Sequence, residues 1–309
     1  MKVLVVGGAG YVGGAVTDLL MQDSHDFRVY DALLYEEAYR KPVDFVYGDI
    51  RDRDRLRPHL EWADSVVWLA ALVGDGACAL DPDVSIAVNQ ASVQWLADHF
   101  DGRIIFLSTC SVYGAQEAVL DEDSPIDPLS VYASTKLEAE QYLADKNGLI
   151  LRLGTLFGVG DLFSRVRLDL VVNTLTVRAH RHGRISVFGG EQCRPLLHVR
   201  DTAQVILDHL GTSLCGVFNL HRQNVRIIDL AYQVRNHFID LQIDQTEQKF
   251  QDTRNYKLSS EKAQRLLGFR PTHSIDEGIG EIKEMMDSCR LKDMDNPRYT
   301  NHAFLSEFN

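Results

Sequence analysis

Tyr132 and Lys136 stand four residues apart in a segment of helical character. That spacing puts both side chains on one helical face, where they can meet the same ligand. A phenol with an ordinary pKa of ~10 is a poor base at neutral pH, but a nearby ammonium favours the phenolate. The pair could then take a proton from a hydroxyl while hydride leaves the same carbon. Thr109 ends the apolar run Phe106-Leu107-Ser108-Thr109 ahead of them, and its hydroxyl can hold the reacting oxygen against the phenol. A Tyr and a Lys at this spacing are usually surface decoration. Their placement after a strand exit favours the chemical reading, because ligands of open α/β sheets bind at the carboxyl ends of strands.

Hydride removal needs an acceptor, and the start of the chain offers a place for one. Gly7, Gly10 and Gly13 fall directly between the first apolar run and the first helical segment. Glycines there allow a tight turn and let a pyrophosphate approach backbone N–H groups, while the positive helix N-terminus stabilises its charge. Asp31 closes the second apolar run. Its carboxylate can accept from both ribose hydroxyls and would repel a 2′-phosphate, so the expected cofactor is NAD rather than NADP. Arg28 precedes Asp31 inside the strand and not in the following loop, where a phosphate-binding arginine is expected. The alternatives are a ligand-free glycine turn and a strand-terminal aspartate; the strand-to-helix context favours the dinucleotide.

These residues require a scaffold of alternating strands and helices. β-Branched, nearly continuous apolar runs at 3–6, 27–30, 45–47, 65–69, 103–107 and 149–153 predict strands buried on both faces. Helical periodicity predicts helices over 11–21, 52–60, 81–100 and 131–146, with Asp81-Pro82 as a cap and first-turn pair. Such alternation predicts a Rossmann-type α/β fold, a doubly wound parallel sheet with right-handed crossovers. Beyond Gly154 the pattern loosens, with helices expected near 168–181, 201–210 and 227–238 and strands near 185–188 and 217–220. No Pro-, Gly- or Ser-rich linker intervenes. The expected division is an NAD-binding part over 1–155, with 198–225 returning to it, and a smaller interwoven α/β substrate part over 156–197 and 226–309.

Together these marks resemble an extended short-chain dehydrogenase/reductase of the nucleotide-sugar epimerase and dehydratase type. The resemblance spans nearly the whole chain and includes Gly48-Asp49-Ile50, Leu69-Ala70-Ala71, Asn89, the Ser-Thr-x-x-Val-Tyr-Gly segment from Ser108, Arg152, Arg194 to Asp201, and Leu267 to Pro271. It implies that Asp49 and Ile50 hold the adenine, that Ala70 and Ala71 line the pyrophosphate and ribose, and that Lys136 also binds the nicotinamide ribose. Tyr11 and Val12 of the glycine loop and Asn89 fall among the implied cofactor contacts. A turn aspartate and small core residues are the bland readings. The resemblance further implies a homodimer built on helices 81–100 and 131–146, with Trp95 as an apolar anchor; packing within one chain is the alternative.

The family performs several reactions on a nucleoside-diphosphate sugar. Dehydratases typically carry an Asp and a Glu after the active-site threonine, where this chain has Cys110 and Ser111. A neutral thiol and a hydroxyl do not readily supply an acid and base, which disfavours ordinary 4,6-dehydration. Cys110 is either the acid of an unusual elimination or a small semi-buried apolar residue. Oxidation at C4 remains, ending as a 4-epimerase if hydride returns to the other face or as a 4-dehydrogenase if the ketone leaves. A further similarity, to the GDP-heptose 4-dehydrogenase branch, lies in the segments holding Val73 and Arg165 to Asn173. For the substrate diphosphate, Arg194, Arg254 and Arg167 are candidate cations, with surface ion pairs as their alternative. Val73, Asn173 and Thr155 complete the candidate substrate residues; at Thr155 many epimerases have an Asn nearby that this chain lacks. His198 is expected to be structural. A non-catalytic, NAD-binding sensor is the reading from another class, and such proteins typically lose the Tyr or the Lys.

Composition agrees with this picture. A formal net charge of −12 opposes a nucleic-acid partner. The five cysteines form no close pair, so neither a zinc site nor a disulfide framework is expected, and a cytoplasmic enzyme fits best. No apolar stretch approaches the ~20 residues of a membrane span.

Overall fold

A computed structural model of the chain describes residues 1–163, 165–246, 255–291 and 293–308. Its centre is a seven-stranded sheet. In spatial order the strands are Gly216–Leu220, Gly148–Leu153, Arg103–Thr109, Ser65–Trp68, Lys2–Val6, Asp26–Asp31 and Asp44–Tyr47. Every pairing is parallel. The chain runs outward from Lys2–Val6 to one edge, then returns to the other side of that strand through Ser65–Trp68. This reversal opens a crevice at the carboxyl ends of the two central strands, where a doubly wound sheet binds its ligand.

Alternate residues of each strand feed two cores. Val3, Val5, Ile105, Leu107 and Leu151 face helices Tyr11–Leu20 and Val199–Asp208. Leu4, Val6, Trp68, Ile104 and Phe106 face the other way, onto Leu56, Leu96 and Leu143. Burial on both faces explains why these strands are continuously apolar. A third core joins helix Val171–His182 to Ile185, Val187, Leu230 and Ile279 beside the smaller sheets. Two of these are the three strands Thr155–Phe157, Cys193–His198 and Gln223–Arg226, and the parallel pair Arg184–Phe188 and Gln242–Thr246.

The segment expected as one helix over 81–100 is interrupted. Asp81 caps Pro82–Ile86 through the Val84 N–H, a wider i→i+5 turn follows at Ala87–Ala91, and Ser92–His99 resumes the helix. Ser92 donates to the Ala87 carbonyl at 2.9 Å within that turn. Such bulges reorient a side chain without ending the helix, and here the side chain is Asn89. Trp95, expected as an apolar interface anchor with packing inside the chain as the alternative, is buried inside the chain, stacked on His99 with Arg57 over its ring. The helix expected to reach 146 stops at Tyr142. Periodicity did not reveal the short helix Asp75–Leu80 or the C-terminal helices Ile275–Asp287 and Asn301–Ser306. The last of these packs on Asp75–Leu80, at the mouth of the crevice.

Candidate active site

The crevice contains two hollows of about 440 and 260 Å3. They share Gly7, Gly10, Tyr35, Leu69, Ala71 and Arg165, so they meet at the glycine turn. The smaller hollow is lined by Asp31, Asp49, Ile50 and Ala70, and the larger by Tyr11, Val12, Gly13, Thr109, Tyr132 and Lys136.

At the turn, Gly7 has φ +85°, and a Cβ there would sit 2.4 Å from the Ala70 nitrogen. Only glycine allows the first strand and the Ala70 backbone to approach this closely. Asp31 accepts from the Ala9 N–H at 3.0 Å and from the Leu33 N–H at 2.7 Å, and burial raises its carboxyl above the usual range. Asp49 is clamped by Arg51, which holds its carboxyl below the usual range. Two hollows joined by a glycine turn at a helix N-terminus, with a carboxylate in the smaller one, fit a dinucleotide. Adenosine would lie by Asp31 and Asp49, and nicotinamide toward Tyr132 and Lys136.

Ser130 sets the start of the helix that carries Tyr132 and Lys136. Its hydroxyl accepts from the Ala133 N–H at 3.1 Å and donates to Asp75 at 2.7 Å. The Lys136 ammonium lies 4.0 Å above the Phe106 ring, and burial lowers its pKa to about 7 against the opposing Glu140 charge. Burial also raises the Tyr132 phenol, although the Thr109 hydroxyl counteracts this by hydrogen bonding. The sequence predicts that the ammonium favours the phenolate; in the protein alone, burial dominates and raises the phenol. One turn below Lys136, Glu140 receives Arg152 through both oxygens and the Ser108 hydroxyl through one.

Other candidates fall in different places. Val73, Thr155, Arg167 and Arg194 line the larger hollow. Arg167 is paired with Asp169 at 2.9 Å, while Arg194 donates to the Cys193 carbonyl at 2.9 Å. Arg254 lies outside the described residues. Asn89, expected at the cofactor, is instead buried behind the Leu72 backbone, binding its N–H at 2.8 Å and its carbonyl at 2.9 Å. Asn173, expected at the substrate, is fully buried and braces Gly158 and the Arg167 carbonyl. Neither asparagine lines a hollow, because each spends its amide on backbone that would otherwise be unpaired. Cys110 and Ser111 also lie off the hollows. The Cys110 thiol donates to the Tyr256 hydroxyl at 3.3 Å within an apolar cluster, and the Ser111 N–H donates to Thr109 at 3.1 Å. His198 is buried, accepting from the Arg200 N–H and paired with Glu281.

Sequence reasoning missed Arg165, Tyr35, Asp169, Asn301 and Leu305 as cleft residues. Arg165 carried a signal: in an extended stretch, Arg-x-Arg spacing puts its side chain on the same side as Arg167. Asn301 carried none. Its N–H donates to Asp169 at 3.0 Å and its side-chain amide to the Val73 carbonyl at 2.7 Å, contacts made across 132 and 228 positions of sequence.

Among the described residues, no group of three or more His, Cys, Asp or Glu is placed to hold a metal, and no helix is long and apolar enough to cross a membrane. None of the five cysteines forms a disulfide.

The model of the NAD dependent epimerase/dehydratase family matches residues 3–219. The chain is 29% identical to a UDP-glucose 4-epimerase of Lactobacillus helveticus, over 90% of this chain and 95% of that one. Among solved structures it is similar to the UDP-glucose 4-epimerase of Thermotoga maritima, with a TM-score of 0.81, 23% identity, and coverage of 93% of this chain and 99% of that one. It is also similar to the UDP-glucuronic acid 4-epimerase of Bacillus cereus in complex with UDP-glucuronic acid and NAD, with a TM-score of 0.80, 23% identity and the same coverage.

Proposed function

Because the chain belongs to the NAD dependent epimerase/dehydratase family, with NAD as its cofactor, we propose that it inverts C4 of a nucleoside-diphosphate sugar through a 4-keto intermediate. The observation that carries this reading is the convergence of Thr109, Tyr132 and Lys136 on one wall of the larger hollow, beside the glycine turn. NAD, when bound, supplies a hydride acceptor and then a hydride donor.

The protein's own residues do the rest. Tyr132 takes the proton of the sugar 4-hydroxyl as the carbon–hydrogen bond breaks, and returns it when the ketone is reduced. Thr109 holds the 4-oxygen against the phenol. Lys136 orients the nicotinamide ribose and, when protonated, stabilises negative charge on the phenol. Burial keeps the phenol protonated in the protein alone, so ionisation awaits the positive charge that arrives with the oxidised cofactor. Inversion requires the keto sugar to present its other face before hydride returns. The larger hollow, about 440 Å3, is the volume in which that rotation would take place. Arg194 and Arg167 are the cations on its wall for the substrate diphosphate.

The 4-dehydrogenase is the second reading, favoured by similarity in the segments holding Val73 and Arg165 to Asn173. Incubation with NAD and a panel of UDP-, GDP-, CDP- and dTDP-sugars separates the two. An isomer of unchanged mass with no accumulating NADH is the expected result; stoichiometric NADH with a ketone product would replace the epimerase by the dehydrogenase. Tyr132→Phe should retain NAD and lose turnover by about 100-fold or more. Turnover surviving in that variant would overturn the role given to the phenol.

A further inference from the structure

Among the described residues Arg165 is the one arginine that borders both hollows, and it forms no direct ion pair there, feeling Asp169 and Glu36 only at longer range. It is 5% exposed, and its guanidinium lies 3.6 Å over the Tyr35 ring. Its Nε donates to the Arg298 carbonyl at 2.8 Å, while its Nη2 is buried with no hydrogen-bond partner among the described residues. Arg167, two residues on, has Asp169 as its counter-ion. A buried cation without an ion pair in contact is costly, and an unpaired guanidinium N–H adds to that cost. Burial and the neighbouring Arg167 lower the Arg165 pKa to about 10, which leaves it charged at neutral pH. A site that pre-positions a guanidinium with a free N–H edge and no ion pair suits an anion, and the flat fork suits two phosphate oxygens.

The location indicates which anion. The residues that Arg165 shares between the hollows are those of the glycine turn and the strand end facing it, Gly7, Gly10, Leu69 and Ala71. A dinucleotide spanning both hollows passes this point with its diphosphate. The geometry points to Arg165 as a ligand of the NAD diphosphate, held from behind by the C-terminal arm so that the cofactor stays bound between turnovers. The inference rests on the NAD reading of the cleft, and retention would suit a reaction with no net redox change.

The arm has the contacts to do this. Arg298, whose carbonyl fixes Arg165, donates to Glu37 at 2.7 Å. Asn301 is tied to Asp169 and Val73, and all three line the larger hollow. Phe304 packs on Tyr35 with ring centroids 5.0 Å apart, and Leu305 lines the smaller hollow. The C-terminal residues thus border both hollows and bear on the same Tyr35 ring that supports the guanidinium. Glycine-loop amides alone would leave one side of the diphosphate open.

Equilibrium binding of NAD, ADP-ribose, adenosine and UDP to the full chain and to Arg165→Gln tests the assignment. NAD and ADP-ribose should bind roughly 10- to 100-fold more weakly to the variant, while adenosine and UDP are unaffected. Unchanged NAD affinity, or weakening of UDP alone, would overturn it, the second by giving the guanidinium to the substrate. Equal weakening of adenosine would also count against it, as a collapse of the cleft. Asn301→Ala leaves the guanidinium intact and should speed NAD dissociation; an unchanged off-rate would remove the arm's role. A chain that passes these tests but makes no isomer would sink the epimerase reading and leave this one standing.

Discussion

Arg152 and Glu140 form a buried ion pair one helical turn beyond Lys136, with Nη2 and Oε2 2.6 Å apart. Arg152 leaves the sixth sheet strand in chain order, Gly148–Leu153, and Glu140 sits one helical turn after Lys136, so the pair rivets the helix Val131–Tyr142 to the sheet. Arg152 also donates to the Tyr113 hydroxyl at 2.9 Å, which in turn donates to Asn219 at 2.8 Å. The network therefore reaches the edge strand, Gly216–Leu220. Arg152→Met would leave a buried carboxylate without its cation and should cost about 3–5 kcal/mol. The double variant Arg152→Met, Glu140→Met should lose less than the single one, because both charges leave together. Urea unfolding of the three proteins measures the difference, and a double variant less stable than the single would contradict the account.

Lys136 predicts a stability that depends on pH. Burial lowers its folded pKa to about 7, below an unfolded value of ~10.5. Between those values the unfolded chain binds a proton that the folded chain does not, so this group makes stability rise with pH across the window. Below about 7 the lysine is protonated in both states, and the full penalty of burying its charge is present. Lys136→Met should therefore stabilise the cofactor-free protein most below neutral pH. The gain amounts to roughly 1.4 kcal/mol per unit of depression and fades toward pH 10. Thermal unfolding at several pH values checks this; a gain that grew with pH would give the lysine's burial the wrong sign.

Much of this cleft was legible in the sequence because it is made of local patterns. The apolar runs became the sheet strands, and the glycines met the strand-to-helix turn they implied. Tyr132 and Lys136 came together because four residues is about one helical turn. What escaped notice has no local period. Asn301 reaches Val73, Arg298 supports Arg165, and Asp75 receives Ser130, all through contacts between distant segments. Asn89 and Asn173 escaped in the opposite sense: both look like ligand residues as amides in a motif, but backbone geometry consumes their hydrogen bonds. The interrupted helix at Ala87–Ala91 has helical composition throughout, and only the tertiary demand for Asn89 at Leu72 shows where it must widen.

Gly7 tests the close approach at the cofactor turn. Gly7→Ala would put a methyl 2.4 Å from the Ala70 nitrogen at φ +85°. Such a contact cannot be relieved by a rotamer change, because the obstacle is backbone. The variant should lose about 1–3 kcal/mol of stability, and its turn should open enough to abolish NAD binding. Calorimetric titration with NAD, at a temperature where the variant is folded by circular dichroism, separates the two effects. Wild-type affinity in a folded Gly7→Ala protein would mean that the dinucleotide does not use this turn.

The last test concerns Cys110, the residue on which an elimination chemistry would turn. It is 2% exposed, packed with Val112, Leu120 and Leu258, and its thiol is directed at the Tyr256 hydroxyl. It lies next to Thr109 in sequence, but Thr109 ends the strand and Cys110 opens the 3-10 turn Cys110–Tyr113, whose Val112 and Tyr113 share its apolar cluster. Cys110→Ala should lower stability by about 1 kcal/mol and leave turnover unchanged. Cys110→Ser keeps a hydrogen-bonding group near Tyr256 while removing the thiol, and it should behave the same way in turnover. If both variants remain folded and lose activity, and the parent protein releases water from its sugar substrate, the thiol is the acid of a dehydration and the isomerase reading of the cleft falls.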